Sequence, residues 1–85
     1  MAFTESEAKV LGALVVRAKD QGLTVRQLGR ATRLPDSSIH RALLRLSRTG
    51  LVTVAPQSPA RWLCTARGRI AITRPVYREF VGVRT

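Results

Sequence analysis

The stretch Ser37–Val52, SSIHRALLRLSRTGLV, lays two unlike stripes on one helix. Ile39, Leu43 and Leu46 recur at i, i+4 and i+7, which marks a core-facing side. Ser37, Ser38, His40, Arg41 and Arg48 project elsewhere, and none of them is acidic. Gly50 then stops the helix and Leu51-Val52 begins an extended run. A helix anchored on one side, with hydroxyls and guanidinium groups on the other, suits the major groove of DNA.

The whole chain of 85 residues makes a single domain with one modest core, and residues 1–4 and 82–85 are expected to fray. An apolar fraction of 45% argues against disorder throughout. No apolar run approaches the roughly 20 residues that span a bilayer, so no membrane association is expected. The opening MAFTESEAK has two early acids and no apolar core, so no secretory signal is expected. One cysteine, Cys64, excludes an internal disulfide. With the single histidine it falls short of the four ligands of a zinc site. No metal or other cofactor is expected, and a cytoplasmic, nucleoid-associated setting fits.

The net charge of +10 is placed unevenly. Up to Gly22, Lys9, Arg17 and Lys19 balance Glu5, Glu7 and Asp20. Residues 23–85 set twelve arginines against Asp36 and Glu79, so the entire excess follows Gly22. Such asymmetry implies a polyanion-binding face, although an anionic membrane or an acidic protein would meet the same charge. Arginine supplies 13 of the 15 basic residues. That favours forked contacts to phosphate and guanine, and it equally fits the base composition of a source genome.

Thr4 with Glu7 forms a capping box ahead of a first helix over about Glu5–Gln21, which Gly22 closes. Leu23 reads as a one-residue strand or packing anchor. Thr24 caps a second helix, Val25–Ala31, with Leu28 inward. A turn at Thr32-Arg33-Leu34 leads into a third helix, Pro35–Thr49, where Asp36 and Ser37 can accept the orphan amides. Leu51–Ala55 and Ala60–Cys64 form a hairpin across Pro56-Gln57-Ser58-Pro59. Thr65 caps a fourth helix, Ala66–Thr73, with Ile70 and Ile72 inward, and Pro75 ends or kinks it. Trp62 is expected to close the hairpin against the core, and Cys64 to be a small buried hydrophobe.

The fold class is therefore mostly α with a small β-hairpin (α+β). Its order is helix, short strand, helix, helix, strand, strand, helix: a helix-turn-helix with a wing. From Thr24 through Gly68 the chain resembles the winged helix-turn-helix regulators of the MarR type. The resemblance rests on L-T-V-R-Q-L at Leu23–Leu28, S-S-I-H-R-A-L-L-R-L at Ser37–Leu46, G-L-V at Gly50–Val52 and T-A-R-G at Thr65–Gly68. It implies that the third helix enters the major groove, with Ser37, Ser38, His40 and Arg41 at the positions that face it. MarR-type proteins are longer, and their terminal helices make the dimer and the effector pocket. Here four residues precede the first helix and Pro75 interrupts the tail, so no small-molecule effector is expected.

Arg41 could take guanine O6 and N7 in a forked bond. His40 donates to a base or lies beside the groove. Arg45 and Arg48, further along, meet phosphates or pack against neighbouring elements. Arg26 and Arg30 lie on the second helix, where Thr24 is a cap first and a phosphate contact second. Arg61 is the wing candidate, entering the minor groove, meeting backbone or staying solvated, and Arg67 and Arg69 add phosphate contacts or face away. Asp36, Ser37 and His40 match a catalytic triad by residue type alone, and crowding into one helical turn argues against enzymatic use. The chain reads as a sequence-specific double-stranded DNA-binding protein, most simply a small transcriptional regulator. The rivals are a protein-interaction module of a larger assembly and an architectural or recombination accessory of a phage or mobile element. RNA binding is disfavoured by the shortage of aromatic residues to stack on bases. The apolar Val10, Val16, Ile72, Val76, Tyr77, Phe80 and Val81 form a homodimer interface or pack within one chain.

Overall fold

Three threonines start three of the helices. In the computed structural model, which describes residues 3–18, 21–75 and 77, Thr4 opens α1 (Glu5–Ala13) through a complete capping box. Its hydroxyl accepts the Glu7 N–H at 3.1 Å, and the Glu7 carboxylate accepts the Thr4 N–H at 3.2 Å. Thr24 does the same for α2 (Val25–Thr32), with Gln27 as the reciprocal partner. Thr65 caps α4 (Ala66–Ile72) by accepting the Gly68 N–H.

Between α2 and α4 lie α3 (Asp36–Arg48), β1 (Val52–Ala55) and β2 (Arg61–Cys64). The strands pair antiparallel in the register Val52↔Cys64 to Ala55↔Arg61. Leu23 adds a one-residue third strand, giving its N–H to the Trp62 carbonyl at 2.9 Å and accepting the Trp62 N–H at 2.7 Å. The winged helix-turn-helix expected from the residue pattern is the fold observed.

The core is built on α1 against α3. Val10, Leu11 and Leu14 bury against Ile39, Ala42, Leu43 and Leu46, and Leu28, Val52, Ile72 and Tyr77 complete it. Val10, Ile72 and Tyr77 are therefore buried within the chain, whereas Val16 is half-exposed; Val76, Phe80 and Val81 lie outside the described residues.

Four local expectations are corrected. The first helix is not uniform: beyond Ala13 it widens into a π-helical turn, Leu14–Ala18, around the β-branched pair Val15-Val16. The third helix begins one residue later than expected, with Pro35 as its extended N-cap and no side-chain cap. Asp36 and Ser37 are already helical there, so their side chains do not cap. On α4, Gly68 and Ile72 take the inward face four residues apart. Ile70 stands about 200° round from that line and is 72% exposed. Cys64 is only half-buried, its S–H donating to the Thr65 carbonyl; burial pushes its thiol up, opposed by the Arg69 guanidinium.

Two contacts lock this arrangement. A Cβ at Gly68 would sit 2.2 Å from the Leu51 carbonyl oxygen and 2.9 Å from Cys64 Sγ, so α4 meets the hairpin base with no room to spare. Glu7, the one charged residue buried among the described residues, holds Thr4 with one oxygen and Arg45 Nη1 at 3.3 Å with the other. That second bond joins α1 to α3.

Gly68→Ala is expected to destabilise the protein by about 3 kcal/mol or more, since backbone must shift. Gly29→Ala, inside α2 with its nearest neighbour at 3.6 Å, is expected to gain about 0.5–1 kcal/mol. Urea denaturation reads both, and similar values for the two would refute the tight fit at Gly68. Arg45 is 64% exposed at its side chain, so water screens the pair and Glu7→Gln should cost under about 1 kcal/mol. Glu7→Ala also removes the cap acceptor and should cost about 1 kcal/mol more. Equal losses in the two Glu7 variants would show that the cap contributes nothing.

Candidate nucleic-acid interface

α3 is buried along Ile39, Ala42, Leu43 and Leu46, and this fixes what its other side presents. Ser37, His40, Arg41 and Arg48 are all exposed. Leu44 joins them, 52% exposed on the same outward face, four residues from His40 and from Arg48. Leu44 gives little signal in the sequence, because a leucine beside an apolar stripe looks like part of it. Counting in steps of three and four from Ser37 would have placed it outside.

Two shallow grooves flank the first half of α3. One, towards α2, is lined by Arg26, Arg30, Asp36 and His40. It brings the second-helix arginines to the start of α3, across a turn in which Arg33 adopts a left-handed backbone (φ 60°). The other, towards α1, gathers Ser38, Arg41 and Arg45 beside Thr4 and Ser6. Ser38 is half-buried in this groove, whereas Ser37 is exposed. At the N-terminus of α3 the first-turn amides have no side-chain partner, a setting that favours an anion.

The remaining expected residues divide by position. Thr24 is half-buried, and its hydroxyl already accepts the Gln27 N–H. Arg45 lies on the α1 side of α3 and pairs with Glu7, a partner 38 residues away that no local pattern reveals. Arg48 stands near the far end of α3 beside Arg67 and Arg74. Arg61 opens β2 opposite Ala55, half-buried at the base of an exposed, uncharged tip over 56–60. Trp62 packs on the core and is not displayed for stacking. Among the described residues no group of His, Cys, Asp or Glu could hold a metal ion, and no helix is long and apolar enough to cross a membrane.

A family model described as "Sugar-specific transcriptional regulator TrmB" matches residues 1–66. No curated protein matches the sequence. Among solved structures, a MarR family transcription regulator is 27% identical with a TM-score of 0.70, covering 85% of this chain and 48% of its own. The Mycobacterium tuberculosis regulator MosR is 25% identical, with a TM-score of 0.76 over 91% of this chain and 57% of its own. BpsR of Bordetella bronchiseptica, whose DNA binding is regulated by 6-hydroxynicotinic acid, shares the fold at 22% identity and TM-score 0.75, over 94% and 58%. The chain thus spans about half the length of the structures it matches. By its family match and its architecture, this chain belongs to the TrmB family of transcriptional regulators and has their winged helix-turn-helix fold.

Proposed function

We propose that the chain regulates transcription by placing α3 in the major groove of a specific duplex. The observation that carries the reading is the outward face of α3, where Ser37, His40, Arg41, Leu44 and Arg48 stand opposite a fully buried stripe. In this reading Arg41 and His40 contact base edges, and Leu44 meets a thymine methyl. Ser37 and Ser38 hold a phosphate at the helix start. Arg26, Arg45, Arg48 and the region around Thr24 contact the backbone and set register, and Arg61 reaches the flanking groove at the wing. Arg45 brings a geometry set in advance by Glu7.

Affinity comes mainly from phosphate neutralisation and discrimination from α3. One such module buries only about 600–1,000 Å² on DNA, so two copies on two half-sites are part of the proposal. Half-exposed Val16 and exposed Ile70 supply apolar surface for such a pair. The action is that of a cytoplasmic binding protein without catalysis. The sugar of the family description and the 6-hydroxynicotinic acid of BpsR stay with those proteins.

Anisotropy titrations against a selected duplex and a random duplex, at several salt concentrations, test the reading. Arg41→Ala is expected to lower the selected-to-random affinity ratio by about 1–3 kcal/mol, roughly 5- to 150-fold. Arg61→Ala is expected to weaken both duplexes alike and to reduce the salt slope by about 1. Equal losses on both duplexes for Arg41→Ala would remove its base-reading role. No salt-dependent binding by the unmodified protein would instead favour a protein-interaction module.

A further inference from the structure

A second concave surface lies at the far end of α3, where it converges with the start of α1 and with α4. It is an open cleft of about 570 Å³. Leu46, Leu51, Ala71 and Tyr77 give it an apolar lining. Arg45, Arg48, Arg67 and Arg74 supply its charge, and Glu7 is the one acid among the described residues that line it.

That carboxylate is already engaged by Thr4 and Arg45. Arg48, Arg67 and Arg74 have no carboxylate within 4.0 Å among the described residues, so three guanidinium groups face one cleft with no ion-pair partner among those residues. Tyr77 adds a polar group of defined sense. Its hydroxyl oxygen accepts the Phe3 N–H at 3.1 Å, and its own hydrogen has no acceptor among the described residues. The Tyr77 ring stacks obliquely on Phe3, with centroids 5.0 Å apart, which holds the hydroxyl in place. Arg67, Ala71, Arg74 and Tyr77 all lie beyond residue 66, where the family match ends.

We propose that this cleft binds a small organic phosphate, with Arg48, Arg67 and Arg74 around the phosphate and the organic body on Leu46, Leu51 and Ala71. The charge selects the group. A phosphate monoester carries nearly two negative charges at neutral pH and three acceptor oxygens, which forked guanidinium groups match. A simple carboxylate would leave more of the positive charge unanswered. The concave apolar lining favours a monoester with a compact body over a duplex backbone, whose phosphates lie on a convex ridge. Among the described residues, the cleft is formed by the start of α1, the end of α3, α4 and the residues that flank them. The cleft shares Arg48, and the lining residue Arg45, with the DNA contacts proposed for α3, whereas Arg67 and Arg74 are not among those contacts.

Titration of the isotope-labelled protein with phenyl phosphate, in the absence of DNA, tests it by following the Arg67 and Arg74 Nε–Hε resonances. Both are expected to shift and saturate, and phenol is expected to leave them unmoved. Arg74→Ala and Arg74→Glu change an exposed position, and circular dichroism is the check that each folds. Each should weaken phenyl phosphate by about tenfold or more while DNA binding persists. Unmoved resonances at millimolar phenyl phosphate, or equal affinity in the Arg74 variants, would overturn the proposal. Resonances that answer to a DNA duplex but not to phenyl phosphate would also overturn it, assigning the cleft to the DNA footprint.

Discussion

The burial of one face of α3 governs the rest of the molecule. Ile39, Leu43 and Leu46 are almost wholly removed from water, and each contributes on the order of 1.5–3 kcal/mol of apolar burial. Their partners in the core include Val10 and Leu11 from α1 and Leu14 from the π-helical turn that continues it, so the first helix acts as a splint along the third. This packing sets the rotation of α3 about its own axis. A helix turned by one residue, about 100°, would swing Arg41 and His40 from the outward face and draw Leu44 inward. The polar face is therefore as well defined as the core behind it, though none of its side chains is buried.

The layout of elements was legible because it is written in short-range chemistry. Thr4–Glu7, the Thr24 cap and the Thr65 cap announce three helix starts within a few residues each. Gly22 and Gly50, both with positive φ, mark two ends. The buried stripe of α3 follows from its periodicity. Ile70 was misplaced because a helix as short as α4 offers too few apolar positions to fix its inward line. Gly68, which does fix it, has no side chain to announce the contact. The π-helical widening at Leu14–Ala18 contains no proline or glycine that would announce it. Neither the Glu7–Arg45 bond nor the gathering of Arg48, Arg67 and Arg74 has a local signature, since each depends on how distant elements dock.

That docking changes the meaning of the net charge of +10. The excess looks like a single basic face when counted along the chain, but the fold divides it. Arg26, Arg30 and Arg41 flank the start of α3, while Arg48, Arg67 and Arg74 line a cleft at its far end. Arg45 is tied to the buried acid of a helix that carries no excess of its own. Total charge thus overstates the number of cations that any one surface can offer to a polyanion at the same time.

The single residue Leu23 links the loop before α2 to the second wing strand through two short hydrogen bonds with Trp62. The N-terminus of α2 and the root of the wing are thereby parts of one frame, with α3 held between them. In the proposed docking, such a frame would act as a calliper of fixed gape. On a duplex it would rest its two jaws on backbones whose separation varies with local sequence, and steps that are too wide or too stiff would fit poorly even where no side chain touches a base. A mismatch in groove width would then register as strain shared between the jaws, because neither can yield without the other.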